Sequence, residues 1–318
     1  MGTTTGTAQE PTDPDPLGQQ EESATRARPP ILYKYMGVEY GIEVFTKARI
    51  KYTQPGELND PFECKPFLLG PVDPEHRNES MASQHVKDNI EKIAQAAANK
   101  GNRQQRRQKN SRRTYKVIRS KALTLFHQSM DNLDQKHTHY INREVATYRD
   151  RIAMVCLTES RTNLLMWSHY ADQHAGFVIG VHTAHPCFNR QRSEADDHNY
   201  FRPVIYSDVR PNFYMNQIRS REPIILTKSR EWKDEKEWRI VAPLELLTKD
   251  PKNGKYFYDL PIEAIKEVYM GVRISPALRN RIIEELVKRQ DQHTIKLFQM
   301  EQSERHYALV EKEVHYRT

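Results

Sequence analysis

The stretch KSREWKDEKEWRIV, residues 228–241, combines carboxylates and two tryptophans in a way that a solvated surface rarely does. If its end forms a strand, alternation places Glu237 and Arg239 on one face and Trp238 on the other. We expect the tryptophans to anchor the segment in the core. A rigid carboxylate can stabilise an oxocarbenium-like centre while a glycosidic bond breaks. Glu237 is therefore the candidate catalytic group, with Arg239 orienting it and Glu235 at the preceding turn.

A plainer interpretation of these charges stays open, in which they form an ion-pair ladder with neighbouring strands.

A second polar group follows in NLLMWSHYADQ, residues 163–173, which has the periodicity of a helix. Its phase puts Trp167 in the core. Ser168, His169 and Tyr170 carry donors and acceptors that suit the lining of a pocket. They lie too close together on one helix to take the geometry of a Ser-His-Asp triad.

The loop ELNDPFE, residues 57–63, supplies two further candidates for binding. Asn59 and Asp60 can bind a ligand, because binding residues favour such loops. A structural turn is the alternative, since both side chains also hydrogen-bond the local backbone and Pro61 fixes the chain direction.

No metal site is predicted. His169 and His174 are five residues apart, which does not suit joint ligation on a helix. HTAHPC, residues 182–187, offers three ligand residues, His182, His185 and Cys187, without a fourth partner.

The charge distribution indicates one basic region. The 318-residue chain has 49 basic and 42 acidic residues and a net charge of +7, which permits an anionic partner. Residues 100–121 contain no acidic residue, so they are a candidate for contacts with nucleic acid phosphates. A solvated helical surface or a flexible linker is the alternative. Tyr115 is the only aromatic residue of this run, so the run offers few side chains on which a base could stack.

The cysteines and the hydropathy bear on the compartment. Cys64, Cys156 and Cys187 are few and odd in number, which favours reduced thiols in a cytoplasmic protein. No run approaches eighteen apolar residues, so we expect no membrane partner. The oligomeric state does not follow from the sequence.

The order of segments predicts an α+β fold, because many short strand-like runs are interspersed with few helices. Residues 1–29 have the composition of a disordered tail. Residues 30–318 are predicted to form a single α+β domain, with a helical basic insert at 75–148.

The motifs LYKY, LNDPFE, VCLTES, LLMWSHYADQHAGFVIGV and KSREWKDEKEWRI occur in an order that resembles the bacterial family of unknown function DUF2971. The resemblance spans about Ile31 to Val272 and excludes the basic insert. More remotely, the chain is similar to ADP-ribosyltransferase-like folds, in which a first strand holds NAD through His or Arg and a late strand supplies a glutamate. LYKY is similar to that first strand with Lys34 in place of His, and EWRI is similar to the glutamate strand.

The remote similarity implies a split, curved mixed sheet around a cleft with peripheral helices. It also implies NAD as cofactor and an ADP-ribosyltransferase-like activity, in a toxin or phage-defence effector. A non-catalytic nucleic-acid or nucleotide-binding regulatory protein is one alternative, and a nucleotide or phosphodiester hydrolase is another. The expected partner is a nucleotide-type small molecule. Its candidate binding residues are Lys34, Tyr35, Asn59, Asp60, Ser168, His169 and Tyr170.

Overall fold

The computed structural model describes residues 26–70, 142–190, 198–214, 221–289 and 293–316, with a few short helical pieces between 88 and 140. Most of the predicted tail and of the basic run at 100–121 lies outside the described residues. Residues 116–117 and 120–121 of that run are described, and they are helical and exposed.

The chain divides into two compact units. The first consists of Met1–Lys65, Arg149–Arg210 and Arg221–Thr318. The second consists of Pro66–Tyr148 and Pro211–Ser220, and it includes the predicted insert.

The secondary structure is a mixture of short strands and helices. The strands are β1 (Ile31–Met36), β2 (Arg49–Tyr52), β3 (Phe67–Gly70), β4 (Ile152–Thr158), β5 (Phe177–His182), β6 (Arg202–Pro203), β7 (Ile205–Ser207), β8 (Asn212–Tyr214), β9 (Thr227–Ser229), β10 (Glu237–Pro243), β11 (Thr248–Lys249), β12 (Tyr256–Asp259), β13 (Ile265–Met270), β14 (Lys296–Gln302) and β15 (Leu309–Glu313). The helices are α1 (Val38–Gly41), α2 (Glu43–Thr46), α3 (Leu164–Tyr170), α4 (Glu222–Leu226) and α5 (Pro276–Val287). Short 3-10 helices occupy Pro55–Glu57, Pro186–Phe188, Arg230–Glu235, Leu244–Leu246 and Ile262–Ala264.

The first unit is built on an eight-stranded sheet with the order β15-β14-β13-β5-β1-β4-β10-β6. The sheet is mixed, because β13 and β14 are parallel and the other neighbours are antiparallel. A smaller sheet has the order β11-β12-β2, and β7 pairs with β9. In the second unit, β3 pairs with β8 in parallel. The prediction of an α+β fold with a large mixed sheet is confirmed.

The large sheet separates between β1 and β4. β1 pairs with β5 along its whole length, but its register with β4 consists of Tyr33 opposite Thr158. Beyond that pair the neighbour of β4 is Thr53, which follows β2 and forms a bridge with Met154. A split therefore opens in the sheet, and it positions the candidate site.

Both faces of the sheet are covered by apolar side chains. One cluster includes Leu32, Ile179, Trp238 and Ile282, and it joins the sheet to α5 and to the small sheet. The other cluster includes Tyr35 and Trp167, whose rings meet edge to face at 5.4 Å. Burial of these large aromatic groups holds α3 against the sheet.

α3 ends earlier than the sequence predicts. Asn163 caps its start by accepting the N–H groups of Leu165 and Met166. Asp172, Gln173 and His174 then adopt positive φ angles, which terminates the helix after Tyr170. The predicted helix to residue 173 is wrong for this reason.

The run EPIILT, residues 222–227, is apolar enough to suit a strand, but Glu222–Leu226 form α4. A short apolar run carries no period that separates the two structures. Among the described residues, no helix is both long and apolar enough to cross a membrane.

Candidate functional site

A pocket of about 190 Å³ opens on the first unit where β1 and β4 diverge. Strands β1, β2, β4 and β10, helix α3 and the loop after β2 contribute to its wall. The lining residues are Tyr33, Lys34, Tyr35, Lys51, Thr53, Glu57, Leu58, Asn59, Glu63, Met154, Cys156, Leu157, Thr158, Met166, Tyr170, Lys228, Glu235 and Glu237.

The floor of the pocket is a network of ion pairs centred on Lys228. Its Nζ lies 2.6 Å from Glu235 Oε2, 3.1 Å from Glu237 Oε2 and 3.5 Å from Glu63 Oε1. Arg239 closes the network from below, because its Nε donates to Glu237 Oε1 and its Nη2 to Glu63 Oε1, both at 2.7 Å. We call these five residues the charged floor.

The charged floor is removed from solvent. Its five side chains range from fully buried Arg239 to Lys228, which is 8% exposed. Three carboxyl groups face two cationic groups, which gives the cluster a formal net charge of −1. A low-dielectric setting strengthens each of these interactions, and it makes the loss of one partner costly.

A left-handed residue brings the two glutamates together. Glu235 ends the 3-10 helix Arg230–Glu235, and Lys236 has φ 45° and ψ 51° before β10 begins at Glu237. Thr158 on β4 donates its hydroxyl to the carbonyl oxygen of Glu235. The N–H of Glu237 donates to the hydroxyl oxygen of Tyr206 at 2.8 Å. The turn is therefore held on both sides, and both carboxylates face Lys228.

The network keeps Glu237 and Lys228 ionised. Burial alone would raise the pKa of Glu237, but Arg239 and Lys228 hold it well below the ordinary value. Burial alone would lower the pKa of Lys228. The charges of Glu237 and Glu235 instead hold the pKa of Lys228 above its ordinary value. Glu237 is thus a carboxylate, and Lys228 an ammonium group, at physiological pH.

Cys156 lies directly opposite Arg239 on β4 and lines the pocket. Burial and the nearby charge of Glu237 raise the pKa of its thiol. A thiol that stays protonated is a poor nucleophile.

Aromatic side chains flank the charged floor. The Tyr170 hydroxyl donates to Glu235 Oε1 at 2.7 Å. The Trp232 ring lies beside Lys228, with its centroid 4.8 Å from Nζ. Trp232 is partly exposed, so the prediction that both tryptophans of this segment lie in the core is wrong for Trp232. Trp238 is buried as predicted.

Six of the residues predicted from the sequence meet in the pocket. They are Lys34, Tyr35, Asn59, Tyr170, Glu235 and Glu237. Glu235 was expected at the preceding turn, and the left-handed Lys236 brings its carboxylate into the charged floor.

Four predicted residues do not line the pocket. Arg239 lies beneath it and holds Glu237. Asp60 is buried and accepts the N–H of Phe62 at 2.8 Å, as the structural-turn alternative requires. Ser168 and His169 are exposed on α3 outside the lining, because the helix turns Met166 and Tyr170 toward the pocket instead.

Sequence reasoning missed Lys228, Glu63 and Lys51. Lys228 opens the quoted stretch, and a lysine before two glutamates was a usable signal. Glu63 ends the loop whose Asn59 was selected, and no local pattern distinguishes it. Its role depends on Arg239, which is 176 residues away in the chain.

The other predicted sites gain no structural support. The basic run at 100–121 lies largely outside the described residues, so nucleic acid binding there stays a prediction. In the described part of the chain, no group of three or more His, Cys, Asp or Glu side chains is arranged so that it could hold a metal ion.

Comparison with known proteins gives one match. Residues 166–240 match the model of a family described as a protein of unknown function, DUF2971. The predicted resemblance is confirmed over this segment, which carries Met166, Tyr170, Lys228, Glu235 and Glu237 of the pocket. Neither a curated protein nor a solved structure matches the chain.

Proposed function

We propose that the protein is an ADP-ribosyltransferase-like enzyme that uses NAD, and that the pocket above the charged floor is its active site. The observation that supports this most is the pair of carboxylates, Glu235 and Glu237, fixed beside Lys228 at the bottom of an open pocket. Electrostatic stabilisation by preorganised groups is usually the largest contribution to catalysis.

The reaction fits the charge of the floor. When the bond between the ribosyl C1 and the nicotinamide nitrogen breaks, its electrons stay on the nitrogen and neutral nicotinamide leaves. Positive charge develops at C1, where the excess negative charge of the floor stabilises it. Glu237 supplies this field, because Arg239 fixes its carboxylate on the strand.

Glu235 has a different environment, and we assign it the second role. Its carboxylate has hydrogen bonds from Tyr170 and Lys228 and lies at the edge of the network. An acceptor nucleophile forms the new bond to C1 and transfers its proton to this carboxylate. Lys34 and Tyr35 hold the dinucleotide in this proposal, and the biological role is that of a toxin or phage-defence effector.

A second candidate function is nucleotide binding without catalysis. It is favoured by the environment of Glu237, because both oxygens of its carboxylate already accept hydrogen bonds from Arg239 or Lys228. A carboxylate so occupied serves equally well as a structural element of a binding pocket.

The two candidate functions differ in whether ADP-ribose is transferred covalently to an acceptor. The test is incubation with NAD labelled in its adenine ring, together with protein and nucleic acid acceptors. If the protein is the proposed enzyme, an acceptor becomes covalently labelled by the wild type and is not labelled by the Glu237→Gln variant. If NAD raises the melting temperature of the wild-type protein while no acceptor gains label, non-catalytic binding is the function.

A further inference from the structure

Two lysines from different sheets reach the wall of the same pocket. Lys34 belongs to β1 of the large sheet and Lys51 to β2 of the small sheet, and both line the pocket. Neither forms an ion pair with any carboxylate of the described chain. Unpaired cations in a partly buried wall are unusual, because desolvation of a charge costs free energy that a partner normally offsets.

Lys51 is held in place by the backbone around it. It lies opposite Phe257 in the register of β2 and β12. Two residues later, Thr53 exchanges backbone hydrogen bonds of 2.8 and 2.9 Å with Met154 of β4. Its Nζ lies 5.1 Å from the centroid of the Tyr40 ring. The ammonium group is thus positioned beside the split in the sheet.

Lys51 is half-buried among charges of both signs. Burial lowers the pKa of its ammonium group, and the charges of Lys255 and Lys34 lower it further. Glu57 and Glu39 act in the opposite direction. Glu57, which lines the pocket, accepts from Lys255 Nζ at 2.9 Å. Glu57 is therefore already paired with a cation other than Lys51.

The lining of the pocket consequently includes two lysines without a carboxylate partner in the described chain as well as the carboxylates of the charged floor. Lys34 and Lys51 give its wall a positive charge, while the charged floor carries the excess carboxylate. An anion is repelled from the floor and attracted to the lysines. A ligand that satisfies both has an anionic group beside the lysines and a neutral or cationic group beside the charged floor.

We propose that Lys34 and Lys51 together bind the phosphate or diphosphate group of a nucleotide. Phosphate oxygens accept charge-assisted hydrogen bonds, so one group can accept from both lysines. The remainder of the nucleotide is then directed toward Glu235 and Glu237. This inference rests on the proposed nucleotide pocket, but it does not require catalysis.

Calorimetric binding of ADP, inorganic pyrophosphate and adenosine tests this inference directly. The wild-type protein binds ADP and pyrophosphate, and higher salt weakens both. Adenosine, which lacks the phosphates, binds at least about tenfold more weakly than ADP. Lys51→Gln and Lys34→Gln each raise the Kd for ADP by about tenfold or more, since each removes a charge-assisted hydrogen bond.

Lys252→Gln is the matched control, because Lys252 is exposed and does not line the pocket. The Lys252→Gln variant has the same Kd for ADP as the wild type. The proposal is overturned if the Lys51→Gln variant and the wild type have the same Kd for ADP. It is also overturned if adenosine binds as tightly as ADP, or if neither ADP nor pyrophosphate binds. Lysine-dependent binding of ADP without any turnover of NAD supports this inference and contradicts the proposed transferase.

Discussion

The ammonium group of Lys228 lies 2.6 Å from a carboxylate oxygen of Glu235, and neither residue exceeds 8% exposure. The same ammonium group reaches Glu237 and Glu63. Together with Arg239, this lysine thus offsets the mutual repulsion of three buried carboxylates, and the shape of the pocket floor depends on it.

Lys228→Met retains the length of the side chain and removes its charge. We expect it to lower the free energy of unfolding by about 3–5 kcal/mol, because it leaves buried carboxylates without their partner. Denaturant unfolding measures the change. Lys288→Met is the control, since that lysine pairs with Glu285 from a side chain that is 58% exposed, and such pairs contribute less than about 1 kcal/mol. Equal stability of Lys228→Met and wild type would refute the structural role of Lys228.

Three substitutions on α3 test how this helix faces the sheet. Trp167→Ala should cost about 3–5 kcal/mol, because the indole is fully buried against Tyr35. Ser168→Ala and His169→Ala should stay within about 0.5 kcal/mol of wild type, since both residues are exposed. Thermal and denaturant unfolding give the values. A larger loss with His169→Ala than with Trp167→Ala would show that the helix faces the other way.

Acid should destabilise the charged floor. The pKa of Glu237 is lower in the folded protein than its ordinary value of 4.5, so its contribution is present above 4.5 and is lost as the pH falls toward the folded pKa. Unfolding free energies measured on both sides of pH 4.5 test this. Glu237→Gln should lose less stability with acid than the wild type, because it lacks the titrating group. A dependence as steep as that of the wild type would assign the acid sensitivity to other carboxylates.

Local patterns accounted for part of this structure. Helical phase placed Trp167 in the core, and strand alternation placed Glu237 and Arg239 on the face opposite Trp238. Local rules fail where distant segments decide the outcome. Ser168 and His169 lie on a helix that ends at three left-handed residues, and no propensity rule anticipates three of them in succession.

The charged floor itself depends on tertiary contacts. Glu63 comes from the loop after β2, whereas Lys228 and Arg239 come from residues 228–241. The pocket above them opens at the split between β1 and β4. The sequence indicated that Glu235 and Glu237 matter together. It did not show that Lys228, at the start of the same stretch, would be buried and pair with both.

Release of nicotinamide from NAD by the purified protein tests the central claim most directly, because bond cleavage does not depend on knowing the final acceptor. The account predicts release by the wild type and a rate at least about a hundredfold lower for Glu237→Gln. Glu285→Gln removes another buried glutamate with cationic partners, outside the pocket, and should retain the wild-type rate. No release by the wild type with any acceptor offered, or an unchanged rate in Glu237→Gln, would contradict the enzymatic function.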